Sequence, residues 1–188
     1  METLLSILVG IGLSAACGFR VFVPPLVISI AAMSGHLTLS DGFAWMGTWT
    51  ALGAFAVATA LEIAAYYVPW LDNLLDTVST PAACVAGTIV MASMVGDMSP
   101  FLKWTLAVIA GGGTAGLVQG GTVATRAAST ALTGGLANPV VATVELAGAA
   151  ATSVLSLLTP VLVVAVLIGT GIAVWKFCVR RMPRSTAR

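Results

Sequence analysis

The sequence predicts an all-α membrane protein, with about six transmembrane helices arranged as two inverted three-helix repeats with broken first helices. Composition indicates the class: 59% of the 188 residues are hydrophobic, 8% are charged, and the mean hydropathy is +1.04. A soluble domain carries about 25% charged residues, so these charges are too few to cover a water-facing surface. In lipid, backbone polar groups must pair within the chain, which leaves helices or closed barrels. Long apolar runs without alternation favour helices.

The first predicted repeat, residues 1–98, opens with a broken helix. An apolar run over residues 3–19 is followed by Arg20 and then by the pair Pro24-Pro25. Each proline removes a backbone donor and disfavours helix at the residue before it. We therefore expect a broken helix, or two short helices, with Arg20 near the break. The first run lacks the basic residues of a signal peptide, and we interpret it as a retained helix.

Two spans should complete this repeat. Residues 43–68 are long enough to cross a bilayer, have aromatic residues near both ends and carry Glu62 inside. Residues 69–79 are amphipathic and too short to span, which predicts a separate short helix that lies at the interface or folds back against the bundle. The pair Thr80-Pro81 is typical of a helix start, so the third span should begin there and reach about Val95.

The second predicted repeat, residues 99–178, has the same order of features. Its Gly-rich first segment is predicted to break around Gln119, shortly before Arg126. A span carrying Glu145 follows, and Thr159-Pro160 opens the last span. Three crossings in each half would invert the second half relative to the first, as in many secondary transporters.

A basic tail at residues 179–188 follows the last span. Five basic residues lie near the C-terminus, namely Lys176, Arg180, Arg181, Arg184 and Arg188. The positive-inside rule places this tail in the cytoplasm, and an even number of crossings places both termini there. The predicted location is the bacterial inner membrane. We interpret the tail as a topology signal, so no nucleic-acid partner is expected.

Four ionisable residues lie within or beside the predicted spans: Arg20, Glu62, Arg126 and Glu145. A charged group at mid-bilayer costs roughly 2.5–3.5 kcal/mol on insertion scales. These groups must therefore pair, face water or, for the glutamates, take up a proton. Two arginines and two glutamates can neutralise each other where the halves meet. The pattern predicts a substrate or ion pathway, and the alternative is a structural ion-pair network that locks the halves together.

Other polar residues are candidates for the same pathway: Asp72, Asn73, Asp76, Gln119 and Asn138. Asp72 and Asp76 have helical i, i+4 spacing and could line a pathway mouth or hold Ca²⁺ or Mg²⁺. Two carboxylates are too few to predict a metal site, and the alternative is the solvated face of an interfacial helix. Gln119 lies in a GxxxGxxxG pattern that predicts close helix packing, with backbone carbonyls offered to a ligand as the alternative.

No enzyme active site is predicted, because the chain has one histidine and no GxSxG or HExxH motif. The three cysteines form no zinc or disulfide pattern, and no cofactor is expected. The leading hypothesis is a small-solute or ion transporter or channel, whose partners are membrane lipid, the solute or ion, and a possible second copy. The alternatives are a non-transporting membrane scaffold or assembly partner, and a lipid-binding membrane protein.

Four strings of the sequence together indicate a family. They are GFRVFVP at 18–24, YYVPWLDNLLDT at 66–77, AGGG at 110–113 and GGLANPV at 134–140. The chain resembles a bacterial integral membrane family labelled domain of unknown function 4126, over about residues 5–175. The resemblance implies a membrane location and no particular activity.

Overall fold

The structure, a computed structural model, describes residues 2–96 and 98–181, and the side chains of all of these except residues 69–70, 72–74 and 177–181. These ranges are mostly helical and contain no β-strand, as composition predicts. The α-helices are α1 (Glu2–Cys17), α2 (Val23–Met33), α3 (Trp49–Tyr66), α4 (Pro69–Met94), α5 (Pro100–Leu106), α6 (Gly113–Thr133), α7 (Asn138–Leu158) and α8 (Pro160–Arg181). A 3₁₀ helix, Ala44–Gly47, precedes α3, and a π-helical turn, Ala107–Gly112, joins α5 to α6.

Several helices are long and apolar enough to cross a membrane. The candidate spans are Trp49–Tyr66, Leu75–Met94, Pro100–Thr133 and Asn138–Leu158, and shorter apolar helices are Glu2–Cys17, Val23–Met33 and Pro160–Lys176. Their length and composition fit a membrane protein. The count of six crossings and the inverted repeats are not confirmed and stay predictions, as does the orientation of the termini.

Helix α1 runs antiparallel to α4. The Ser14 hydroxyl donates to the Gly87 carbonyl at 2.8 Å, and Gly10, one turn earlier on α1, packs against Met91, one turn later on α4. The sixteen residues of α1 extend about 24 Å and the eleven of α2 about 16 Å. Each helix alone is shorter than the hydrocarbon core of a bilayer, which is about 30 Å thick.

Helix α2 returns to the end of the bundle from which α1 came. In the loop after α2, the backbone N–H of Ser40 donates to the Ser93 carbonyl near the C-terminus of α4, at 2.9 Å. The Ser40 hydroxyl donates to the Ala92 carbonyl at 3.0 Å. The start of α1 and the end of α2 thus lie beside the same end of α4. The two helices form a hairpin, and its turn, residues 18–22, contains Arg20.

The prediction of a separate short helix over residues 69–79 is wrong. Helix α4 is continuous from Pro69 to Met94, with Pro81 inside it. Pro81 removes one backbone hydrogen bond, the one that would reach the Thr77 carbonyl. Packing of α4 against α1 and α6 offsets that loss, because tertiary contacts contribute most of a helix's stability in a protein. The Thr80-Pro81 pair therefore does not start a helix.

The predicted break around Gln119 is also wrong, because the chain is helical from Pro100 to Thr133. Its irregularity lies earlier, in the π-helical turn, where Gly111 lies against Gly87 of α4. Gly112 and Gly116 face Thr88 and Cys84 of α4, as predicted for close packing, whereas Gly120 has no neighbour within 4 Å of the position of an added Cβ. A helix in hydrocarbon keeps its backbone hydrogen bonds, which explains why glycines alone do not break it.

The hydrophobic core lies between the hairpin and α4. Leu13, Ile28 and Val90 are fully buried there, and the 3₁₀ helix adds Met46, which is 1% exposed. The connection between α2 and α3 therefore packs into the bundle. Lys103 at the start of α5 donates to the Ser40 hydroxyl at 2.8 Å and holds the connection at that end.

Candidate functional site

Two arginines from different parts of the chain meet one glutamate beside the hairpin turn. Arg126 of α6 binds Glu145 of α7 through Nε, 3.0 Å from Oε1, and also through Nη2, which donates to Oε2. Arg20 in the turn places Nη2 3.5 Å from the same Oε2 atom. All three side chains are buried: Arg126 is 3% exposed, Glu145 is 6% exposed and Arg20 is 2% exposed. The structure thus brings together three of the four predicted ionisable residues.

Arg20 is held by a carbonyl and by an aromatic ring. Its Nη2 donates to the Ala142 carbonyl of α7 at 2.8 Å. Its Nε and Nη1 are buried without a hydrogen-bond partner among the residues described. The guanidinium carbon lies 3.8 Å from the ring centroid of Tyr66, the last residue of α3. A cation on an aromatic ring is attracted by about 2 kcal/mol or more when both are desolvated.

Tyr66 also contacts the second arginine. The guanidinium carbon of Arg126 lies 4.0 Å from the same ring centroid. The Tyr66 hydroxyl bonds to the Ser79 hydroxyl of α4 at 2.8 Å, and the side chain is buried. The sequence pattern predicts this tyrosine in an aromatic belt at the membrane surface. In the structure it instead links α3 and α4 to both arginines.

Glu62 binds the backbone of the hairpin turn. Its Oε1 accepts from the Val21 N–H at 2.8 Å and its Oε2 accepts from the Phe22 N–H at 3.1 Å. These N–H groups precede the first residue of α2, where unpaired donors and the helix dipole favour a carboxylate. Pro24 and Pro25 supply no N–H of their own at this helix start. Glu62 therefore holds the turn together and does not share the Arg126–Glu145 pair.

Asp76 of α4 brings a further carboxylate to the arginines. Its Oδ1 lies 3.7 Å from Nη1 of Arg126, and the aspartate side chain is 15% exposed. Two guanidinium groups, from Arg20 and Arg126, thus face two carboxylates, from Glu145 and Asp76. Charge balance of this kind lowers the cost of placing the group between membrane-spanning helices. We call these four residues the charge cluster.

A polar cavity of about 420 Å³ opens between α4 and α6 and reaches the charge cluster. Its lining consists of Asp76, Thr77, Thr80, Val123, Arg126 and Ala127. Thr77 and Thr80 are exposed, so the cavity opens outward, whereas Arg126 is buried at its inner side. Pro81 leaves the Thr77 carbonyl without its usual intrahelical donor at this place. The cavity therefore offers hydroxyl and charged groups to a small polar molecule.

Asn138 and Gln119 lie outside this cavity lining. Asn138 is buried at the start of α7, where its Nδ2 donates to Thr130 Oγ1 of α6 at 3.1 Å. Gln119 is 3% exposed and lies two turns before Arg126 on α6. The side chains of Asp72 and Asn73 lie outside those that the structure describes.

The comparison with known proteins gives one match. A family model described as "Domain of unknown function (DUF4126)" matches residues 7–180. The chain belongs to the DUF4126 family. This confirms the resemblance that the four sequence strings indicate. No curated protein and no solved structure matches.

Reasoning from the sequence missed several groups of this DUF4126 site. The Ala142 carbonyl and the N–H groups of Val21 and Phe22 are backbone atoms, which residue types do not reveal. Thr77 could have been found from Pro81, since a proline within a helix frees the carbonyl four residues before it. Tyr66 carried a weaker signal, because it lies one turn after Glu62 on the same helix face.

Proposed function

We propose that this DUF4126 protein is a membrane transporter or channel for a small polar solute or ion, whose path passes Asp76 and Arg126. The observation that carries the proposal is a polar cavity that ends on a buried charge cluster. Polar and ionisable groups between membrane helices are costly and commonly mark substrate or ion pathways. The nearby hairpin turn supports the same function, because many transporters bind solutes where helices are interrupted.

The chemistry of the cavity favours a solute with hydrogen-bond donors and acceptors. Arg126 can bind a negatively charged or carbonyl oxygen, and Asp76 can bind a cationic or N–H group. Glu145 would be a positioning residue, because its two hydrogen bonds orient the Arg126 guanidinium. Glu62 would keep the hairpin turn in place, and Arg20 would supply the counter-charge on the side away from the cavity.

The location proposed is the bacterial inner membrane, with the basic tail and both termini in the cytoplasm. Six crossings as two inverted repeats would require α1 and α2 to lie end to end and form one broken span across the bilayer. The hairpin favours a different arrangement, in which α1 and α2 re-enter on one side while α3, α4, α5–α6, α7 and α8 cross. The N-terminus would then lie on the side opposite the basic tail. A second copy of the chain stays a possible partner, and we propose no enzymatic activity.

Flux into proteoliposomes tests the proposal. Vesicles would be challenged in turn with gradients of H⁺, Na⁺, chloride and an amino-acid mixture. We expect wild-type protein to carry at least one of these, and Arg126→Gln and Asp76→Asn to abolish that flux. Asp41→Asn is the matched control, because Asp41 is exposed in the loop before α3, far along the chain from the cluster. Flux that is equal in all four proteins would refute the assigned path.

A non-transporting scaffold is the second candidate. It is favoured by the internal partners of both glutamates, since Glu145 binds Arg126 and Glu62 binds the hairpin backbone. A scaffold would show no flux above empty vesicles for any of the four gradients, while Glu145→Gln and Glu62→Gln would still lower the yield of folded protein. Wild-type flux would exclude this candidate as the whole function.

A further inference from the structure

An apolar groove lies on the side of α4 away from the polar cavity. It has a volume of about 470 Å³ and lies between the hairpin, the 3₁₀ helix, α3 and α4. All its lining side chains are aliphatic, aromatic, proline or methionine. Val21 and Phe22 of the hairpin turn lie at one end, and Trp45 of the 3₁₀ helix lines it as well.

The groove opens sideways and has a closed floor. Met46 and Val90 on the floor are 1% and 0% exposed, whereas Val78, Val85 and Trp45 at the rim are 58%, 59% and 51% exposed. A buried floor beneath an open rim is the shape of a channel for one flexible chain. The opening faces outward between α3 and α4, and these helices contain two of the candidate membrane spans.

The length of the groove fits the hydrocarbon of one leaflet. The stretch of α4 that lines it, from Val78 to Val90, rises about 18 Å at 1.5 Å per residue. Half of a hydrocarbon core of about 30 Å is about 15 Å. With α3 and α4 as membrane spans, the medium around the groove is lipid. An unfilled apolar groove forfeits dispersion contacts along its floor, which an inserted chain of methylene groups restores.

We propose that this groove is a binding site for one acyl chain of a bilayer phospholipid. The headgroup end would lie near Trp45, because indole side chains concentrate at the level of the headgroups. The other end of the chain would reach Val21 and Phe22, whose N–H groups Glu62 holds. A bound lipid would therefore lie against the hairpin turn. The proposal does not depend on transport through the polar cavity.

Retention of phospholipid by the purified protein tests this site. Full-length protein would be stripped by detergent exchange, supplied with phosphatidylglycerol, washed, and weighed by native mass spectrometry. Ala82→Phe fills the groove, and Val85→Trp closes its mouth from an exposed position without entering the core. Ala56→Phe is the control, since Ala56 is exposed on α3 and does not line the groove.

We expect one retained phospholipid per chain in the wild type and in Ala56→Phe, and its loss in both groove variants. Size-exclusion elution and helical circular dichroism would establish that each variant is folded. If Ala82→Phe fails to fold, Val85→Trp alone decides. Wild-type protein without retained lipid, or equal retention in the folded groove variants, would overturn the proposal. Cross-linking through Val85→Cys that joins two chains would also overturn it, because a second copy would then cover the groove.

Discussion

The two charged segments of the molecule have the same residue types and different backbones. In the first, the chain turns back at Arg20, and the glutamate of the next helix, Glu62, binds the N–H groups of that turn. In the second, the helix continues through Arg126, and Glu145 binds the arginine side chain itself. An unbroken helix offers no free N–H groups in its interior, so only the guanidinium is left as a donor. The backbone therefore decides what each glutamate binds.

The arginines differ in the same way. Arg126 makes a two-point contact with a carboxylate, whereas Arg20 makes one carbonyl hydrogen bond and lies on the Tyr66 ring. Bidentate pairs of guanidinium and carboxylate are both stronger and more directional than single hydrogen bonds. Of the two arginines, Arg126 is thus the more rigidly held and also the one that lines the cavity.

Topology is where the two segments should differ most. A Cys-less protein would carry a single cysteine in place of Glu2, Thr38 or Leu136, all exposed, and be labelled in sealed vesicles with a membrane-impermeant maleimide. The hairpin predicts that positions 2 and 38 react from one side and position 136, beyond the continuous α5–α6 helix, from the other. If positions 2 and 38 reacted from opposite sides, α1 and α2 would form one broken span across the bilayer and not a re-entrant hairpin.

Removing the Glu145 charge should give the largest loss of stability. Glu145→Gln leaves two buried guanidinium groups without this carboxylate, and breaking a buried ion pair from one side costs about 3–5 kcal/mol. Thermal or denaturant unfolding in detergent would measure it. The double variant Arg126→Met, Glu145→Leu should recover much of the loss, because it removes both charges. If Glu145→Gln lowered the free energy of unfolding by less than Glu62→Gln does, the proposed difference between the two glutamates would be wrong.

Glu62→Gln should have a smaller and more local effect. The amide keeps one oxygen to accept from the backbone and loses one charge-assisted hydrogen bond, which is typically about 1.5–3 kcal/mol. Hydrogen exchange should accelerate at Val21 and Phe22 and stay unchanged in α6. Glu145→Gln serves as the comparison, since it should leave the protection of the hairpin turn largely intact. Equal acceleration in both variants would show that the two carboxylates share one function.

The sequence predicted the class, the spans around Glu62 and Glu145, and the break at Arg20. These rest on long apolar runs and on paired prolines, which act locally. The helix start at Thr80-Pro81 was wrong because α1 and α6 pack along α4 on both sides of the proline. The break at Gln119 was wrong because Gly112 and Gly116 serve close packing, and no single chain pattern separates packing from unwinding.

The contact among Arg20, Arg126 and Glu145 could be predicted from the sequence, because isolated charges are costly to bury. Their grouping with Tyr66 and the Ala142 carbonyl did not, because it depends on how three helices cross. The partner of Glu62 depends on the hairpin, which residue types alone do not distinguish from a kinked span. Long-range geometry, and not local propensity, decides these parts of the site.

Water access to the polar cavity tests the central claim most directly. In the Cys-less background, Thr80→Cys lies in the cavity and Val85→Cys lies at the rim of the apolar groove, fewer than two helical turns away on α4. In intact vesicles, a water-soluble maleimide is predicted to label Thr80→Cys and to leave Val85→Cys unreacted. An unlabelled Thr80→Cys, or equal labelling of both, would contradict a hydrated path to Arg126.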